Sequence, residues 1–395
     1  MPSKKSNWDS TPKRKTIAFV SNHPWSVYNF RIGAIRAVLS QGYKVTIITT
    51  YDKKYVDLFI SEGCQFIPYD LDAGGKNILK DCKSFYQLWK IYRRLRPDFI
   101  FHYTIKSNIY GTVSARLLNI PSVAVICGMG YSFSQKNWLY FLVKLLYKFS
   151  LNWSREIWFI NNFQKELFED THIVSSSKSR LLPGEGVNTS FFKPEKKDSS
   201  SGKFIFLMTG RMLWDKGVQE YVEAARNLKD KFPNRIECQL LGFTDVQNPN
   251  AISQKVIEAW HNEGIINFLG DTEDVRPYLK NADCLVLPTY YLEGVPRSLL
   301  EAASMQIPMI TTNIAGCRDV VVDSQNGFLV EPKNKKDLFD KMQMMLQLDS
   351  SERAKMGKNG RTRVIELFDE RLVIPFYLQV LEKYILNAHR VYHTE

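Results

Sequence analysis

Two short stretches hold residues whose types and spacing suit work on a phosphorylated substrate. In Thr209–Gly217, TGRMLWDKG, Arg211 and Lys216 follow Gly210 closely. The segment comes after a buried strand pattern and opens a helix, so Gly210 permits a tight turn and both cations project near a helix N-terminus. Two cations beside the positive end of a helix dipole suit a diphosphate. The plainer alternative is a solvated helix start. The second stretch, Glu293–Glu301, reads EGVPRSLLE. Gly294 and Pro296 mark a loop entering a helix, and the spacing of Glu293 and Glu301, about two turns, sets both carboxylates along one edge. The amides of Val295 to Ser298 add donors near a phosphate; one carboxylate can accept from sugar hydroxyls and the other from a ribose. A capping glutamate and a solvated one would look the same. Asp70-Leu71-Asp72 is formally a metal-binding carboxylate pair, but it lacks companion ligands and reads as a solvated turn.

The elements that must position these residues alternate regularly. TIAFVS (16–21), KVTIITT (44–50), CQFIPY (64–69), DFIFHYT (98–104), SVAVIC (122–127) and EIWFI (156–160) are separated by helical patterns. FIFLMTG (204–210), ECQLLGF (237–243), INFLG (266–270), DCLVLP (283–288) and PMITT (308–312) repeat the arrangement. Strands of this kind between helices build doubly wound parallel sheets, so the fold class is α/β with two Rossmann-like domains facing a cleft. The division is 1–183 for the first domain, 184–202 for a Gly/Pro/Ser-rich linker, 203–366 for the second domain, and 367–395 for a helical tail packing back on the first. Pro375 should kink or break that tail. Both sites belong to the second domain, at the carboxyl ends of its strands, where open α/β sheets bind ligands.

The 395-residue length suits two domains, and the 44% apolar and 24% charged composition is that of a globular chain. Charge is uneven. Residues 1–190 carry 26 Lys and Arg against 13 Asp and Glu, so the whole net excess of +12 lies in the first domain. An anionic partner is expected there. The six cysteines show no metal-ligand spacing, which points to a reducing cytoplasm and no structural zinc. No export signal is read at the N-terminus, and the apolar run Trp138–Leu151, interrupted by Lys144 and Lys148, falls short of the roughly 20 residues of a spanning helix.

In their order and spacing, the Gly-Arg and Lys site, the Glu-x7-Glu stretch, GEGVNTSFF, LGDTEDVRPYLKNADCLVLPT and AGCRDVVVDSQNGFLV resemble the retaining glycosyltransferases of family 4, with the two-lobed GT-B fold. The resemblance covers essentially the whole chain. It implies that Arg211 and Lys216 hold the donor diphosphate, with Gly210 at the turn, that Glu301 takes the ribose hydroxyls, that Glu293, with Gly294, Val295 and Pro296 beside it, serves the donor sugar, and that Val275 lies against the base. Two cations and a helix N-terminus stabilise a departing diphosphate without a metal, so neither metal nor cofactor is expected.

The first domain is similar, in SNHPWSVYNFR, YTIKSNIYG and ICGMGYSF, to the members that extend polyprenyl-diphosphate-linked sugars. Many family members carry a Gly-rich first loop and a histidine after the fifth strand; here His23 occupies the first loop, and Gly128 and Gly130 stand where that histidine would be. His23, Asn29, Arg31, Lys106 and Asn108 follow strands or begin helices and are the candidates for an acceptor diphosphate, with capping or surface roles as the alternative. His102, between apolar neighbours, reads as a packed histidine.

The function implied is transfer of an N-acetylhexosamine or related deoxyamino sugar from a UDP-sugar to a polyprenyl-diphosphate-linked glycan, in surface polysaccharide or glycoprotein glycan assembly. Competing readings are a nucleotide-sugar epimerase of the same fold and a nucleic-acid-binding or sugar-binding protein without catalysis. The basic residues lack an aromatic single-strand platform or a helix-turn-helix pattern, which argues against nucleic acid. Trp138, Tyr140, Phe141, Tyr147 and Trp153 interleave with Lys136, Lys144, Lys148 and Arg155, so one helix face suits an anionic membrane surface, and the expected location is peripheral, on the cytoplasmic face of the cell membrane. An amphipathic core helix with a solvated basic edge is the alternative.

Overall fold

Alternating residues of the first strands pack into separate cores on the two faces of one sheet. Ile17, Phe19, Val45, Ile47, Phe99 and Phe101 enter one apolar cluster, while Ala18, Val20, Ile48 and Ile100 enter another. Strands buried on both faces are the mark of a parallel sheet covered by helices. The computed structural model describes residues 14–70, 78–128, 138–198, 202–244, 248–292 and 294–386.

The first sheet contains β1 (Thr16–Val20), β2 (Lys44–Thr49), β3 (Gln65–Pro68), β4 (Phe99–Tyr103), β5 (Ser122–Ile126), β6 (Glu156–Phe159) and β7 (Ser179–Leu181), in the spatial order β3-β2-β1-β4-β5-β6-β7. All neighbours are parallel, with Ile17 opposite Val45 on one side and Phe99 on the other. The second contains β8 (Phe204–Thr209), β9 (Ile236–Leu241), β10 (Asn267–Phe268), β11 (Cys284–Leu287), β12 (Met309–Thr312) and β13 (Gly327–Val330), ordered β10-β9-β8-β11-β12-β13 and again parallel. This is the two-sheet α/β architecture expected from the alternation of strands and helices. In both sheets the order reverses beside the first strand, which opens a crevice at the strand ends.

The chain between the sheets is anchored. Val187 is buried, its amide donates to Phe368 O at 2.8 Å, and its carbonyl accepts from Glu370 N at 3.0 Å. At this crossing the tail returns to the first lobe. A kink or break is expected at Pro375; the break falls earlier, at Phe368–Asp369, between helices Ser350–Leu367 and Glu370–Leu381. Asp369 caps the second of these through Arg371 N at 2.8 Å, and Pro375 is carried within it. Val373, Tyr377, Leu381 and Ile385 then complete the first lobe's core, where Tyr377 Oη meets Tyr103 Oη at 2.9 Å.

Candidate active site

The cationic stretch begins where β8 ends. Residues Trp214–Lys216 form one 3-10 turn, and Gly217, at φ +79°, turns the chain into the helix Val218–Lys231. A side chain at 217 would meet the Pro288 carbonyl, so both the backbone angle and the close approach require glycine. The approach joins two strand ends: Asp215 O accepts from Tyr290 N and Tyr291 N, each at 2.9 Å, and from Thr289 Oγ1 at 3.2 Å. The buried Asp215 carboxylate is held by Asn250 Nδ2 at 3.0 Å. The Lys216 ammonium lies 5.6 Å from the centre of the Tyr291 ring, and Arg211 is exposed. Fixed backbone hydrogen bonds thus tie the turn carrying Lys216 to the loop after β11.

That loop leads into the helix Arg297–Ser304, with Pro296 at its N-cap and Gly294 and Val295 buried before it. Glu293 lies outside the described residues. Glu301 is partly buried and pairs with Arg297 Nε at 3.1 Å, one turn earlier. Burial raises the Glu301 carboxyl above its ordinary pKa and Asp274 adds to the rise, while Arg297 opposes it. Asp274 precedes Val275, which starts the short helix Arg276–Leu279 after β10, so the Val275 loop comes close to Glu301. Gly210, Arg211, Lys216, Val275, Gly294, Val295, Pro296 and Glu301 therefore all follow the carboxyl ends of β8, β10 and β11. Such a site can hold an anion by its cations and hydroxyls by its carboxylate.

The first-lobe candidates divide. His23 is exposed at the start of the helix Pro24–Ser40. Desolvation lowers its pKa, the Asp52 carboxylate opposes the shift, and Arg211, across the cleft, lowers it further. Asn29 is half-buried and donates to Trp25 O at 2.9 Å. Arg31 is 5% exposed; its Nη2 contacts Glu185 Oε1 at 2.9 Å and Cys127 Sγ at 3.0 Å, and its guanidinium stacks 4.2 Å over Tyr103. Burial opposes its charge, but Glu185, Cys127 and the two tyrosine hydroxyls of Tyr103 and Tyr377 more than offset this, and its pKa is raised. Lys106 donates to Asp81 Oδ1 at 2.6 Å. Asn108 is buried, with Nδ2 on Val125 O at 3.0 Å. The structure sets His23 within electrostatic reach of Arg211, while Arg31, Lys106 and Asn108 are engaged by protein partners. Gly130, Lys136, Leu71 and Asp72 lie outside the described residues. Among the described residues no group of three or more His, Cys, Asp or Glu could hold a metal ion.

Three residues escaped the sequence reading. Asp215 O bonds the amides of Tyr290 and Tyr291, and Asn161 Nδ2 donates to Gly294 O at 2.8 Å, so each acts on backbone atoms distant in sequence and no local signal exposes them. Arg297 did leave a signal, since it stands four residues before Glu301 on one helix.

Residues 190–363 match the family model described as glycosyl transferases group 1, and residues 16–161 that of glycosyl transferase 4-like proteins. The chain is 30% identical over 388 residues to a Campylobacter jejuni N,N'-diacetylbacillosaminyl-diphospho-undecaprenol alpha-1,3-N-acetylgalactosaminyltransferase, covering 94% of this chain and 100% of that protein. It is 26% identical over 304 residues to an Escherichia coli UDP-Gal:alpha-D-GlcNAc-diphosphoundecaprenol alpha-1,3-galactosyltransferase, covering 74% and 77% of the two. Among solved structures, a sucrose-phosphate synthase from Thermosynechococcus elongatus superposes with a TM-score of 0.77 at 20% identity, covering 95% of this chain and 100% of that one.

Proposed function

Because the chain belongs to the retaining glycosyltransferases of family 4, we propose that it moves an N-acetylhexosamine or related deoxyamino sugar from a UDP-sugar to a polyprenyl-diphosphate-linked glycan. The observation that carries this reading is the bonding of Asp215 O to Tyr290 N and Tyr291 N, which joins the cationic turn to the loop before Glu301. Arg211 and Lys216 take the diphosphate, Glu301 the ribose, Val275 the base, and Gly294 to Pro296 line the sugar. As the glycosidic bond to the diphosphate breaks, negative charge grows on the leaving oxygen, and preplaced cations stabilise it more than they stabilise the bound donor. Retention follows from attack on the same face, with the departing phosphate oxygen accepting the acceptor proton. Neither cofactor nor metal has a part in this scheme. His23, with Asn29 behind it, faces the acceptor, while Arg31, Lys106 and Asn108 support that surface from beneath.

A lipid-linked acceptor calls for residence at a membrane, and the helix Trp138–Leu151 supports it. Phe141, Leu145 and Phe149 stand along one face at 63%, 64% and 59% exposure, while Val143, Tyr147 and Leu151 fill the core behind. Lys148 and Arg155 are exposed near the end of this stripe. Among the described residues no helix is long and apolar enough to cross a membrane. On this reading the protein lies on the cytoplasmic face of the cell membrane, its apolar stripe in the interface and its cations on anionic headgroups.

The test is a matrix of UDP-N-acetylhexosamines, UDP-hexoses and GDP-mannose against polyprenyl-diphosphate-linked saccharides, with product mass and anomeric configuration read together. An α-linked product from a UDP-N-acetylhexosamine is expected. Interconversion of UDP-sugars without an acceptor would support the epimerase reading, and a product of inverted configuration would overturn the mechanism.

A further inference from the structure

The loop after β11 belongs to the second lobe by sequence but is fastened to the first. Leu292 packs against a first-lobe cluster that includes Ile109, Ile126, Tyr147 and Phe159. A Cβ on Gly294 would lie 2.6 Å from Cys127 O and 2.8 Å from Ile160 Cγ1, so only glycine lets the two chains pass. Gly294 O accepts from Asn161 Nδ2 at 2.8 Å, and Asn161, just after β6, is 3% exposed. Its Oδ1 accepts from Gln164 N at 2.9 Å, capping the helix Asn162–Asp170. One amide group therefore faces two ways, its oxygen toward its own helix and its nitrogen toward the other lobe. The two partners, an N–H and a carbonyl, fix which end points where.

We propose that Asn161 is a positioning residue for glycosyl transfer: from the first lobe it sets the backbone of Gly294–Pro296 against the donor sugar. The inference rests on the reading of that loop as donor-contacting. Arg211, Lys216 and Glu301, which hold the nucleotide, belong wholly to the second lobe. The Asn161 bond spans the lobes and exists only when they are together. Its loss therefore leaves nucleotide binding intact and slows the chemical step, because it removes an interaction that matters to the transition state and not to the bound nucleotide.

Asn161→Asp separates this role from helix capping. Aspartate caps a helix as well as asparagine, but its carboxylate cannot donate to Gly294 O. At pH 8 the variant should bind UDP within about twofold of wild type and transfer sugar about 10- to 100-fold more slowly. Burial beside a carbonyl oxygen raises the pKa of the introduced carboxyl, and once protonated it donates again. Its rate relative to wild type should therefore climb as pH falls toward 5. Asn161→Ser keeps a capping oxygen without the reach or the charge, and should be slow at every pH. Wild-type kcat in Asn161→Asp with a flat pH ratio would overturn the proposal, as would loss of UDP affinity in proportion to kcat in both variants. Should wild-type protein transfer no sugar from any nucleotide donor, the donor reading itself fails and this inference with it; an active wild type beside unaffected variants overturns the role of Asn161 alone.

Discussion

Arg297 Nε lies 3.1 Å from Glu301 Oε1, while Arg297 Nη1 donates to the Gly186 carbonyl of the interlobe linker at 2.5 Å. One guanidinium thus ties the proposed ribose carboxylate to the segment that joins the lobes. It also favours the charged form of that carboxylate, working against burial and Asp274, which together hold the Glu301 carboxyl above its ordinary pKa.

Replacing Arg297 by alanine should leave this upward push unopposed. UDP affinity should then fall more steeply than in the wild type as pH is lowered from 8 to 6, because the protonated carboxyl accepts less well from ribose hydroxyls. Glu301→Gln should weaken UDP about tenfold with little pH dependence, the usual scale of one hydrogen bond to a charged group. Calorimetric titration with UDP at several pH values measures both. Wild-type affinity with the wild-type pH dependence in Arg297→Ala would remove the link between the two residues.

Arg211→Ala and Lys216→Ala should each lower turnover by about two to three orders of magnitude, since each removes stabilisation from the departing diphosphate. Arg211 is exposed and Lys216 only partly buried, so folding should survive, and circular dichroism checks that. EDTA should change the rate little. A folded variant with wild-type kcat/KM would end the diphosphate assignment, and activity abolished by EDTA but restored by manganese would end the metal-free scheme.

The sheets were legible because each buried strand is a β-branched or aromatic run with its own flanking helix. Two strands were missed for the same physical reason, that each is too short to show a pattern: Ser179–Leu181 has three residues, two of them polar, and Gly327–Val330 has four. Gly210 to Lys216 and Gly294 to Glu301 were legible as sites because each is a contiguous strand-loop-helix passage. Direction was not. Arg31 and His23 both follow β1, but Arg31 lies two turns into the helix and reaches Glu185 and Cys127, whereas His23 stands at the helix start. Spacing places a residue on an element but does not say which neighbour claims its side chain.

His102 makes a stability prediction with a definite sign. It is fully buried, with Nε2 3.0 Å from Tyr92 Oη, and burial lowers its pKa to about 3. The unfolded chain binds this proton near pH 6.5 and the folded chain does not. The contribution is therefore level above about pH 6.5, and stability is lost as pH falls from there toward 3, by about 1.4 kcal/mol per pH unit. Urea unfolding at pH 7, 6 and 5 should give a steeper loss for wild type than for His102→Gln. Parallel slopes for the two proteins would mean that this imidazole is protonated in the fold.

The last prediction concerns the helix Trp138–Leu151. An exposed face made of Phe141, Leu145 and Phe149 is costly in water and favourable in a bilayer interface, where each such side chain gains roughly 1.5–3 kcal/mol on full burial. Basic residues beside it add about 1 kcal/mol each near an anionic surface. Wild type should therefore sediment with anionic vesicles, less with neutral ones, and less again in high salt. Lys144→Glu/Lys148→Glu should lose the preference for anionic lipid while keeping residual apolar binding. Leu145→Ser/Phe149→Ser should lose binding to both kinds of vesicle and yet keep transfer to a short-chain, water-soluble acceptor, since these side chains point away from the core and from the cleft residues. Equal binding of all three proteins would show that this face does not meet the membrane, and the charge excess of the first lobe would then need another partner.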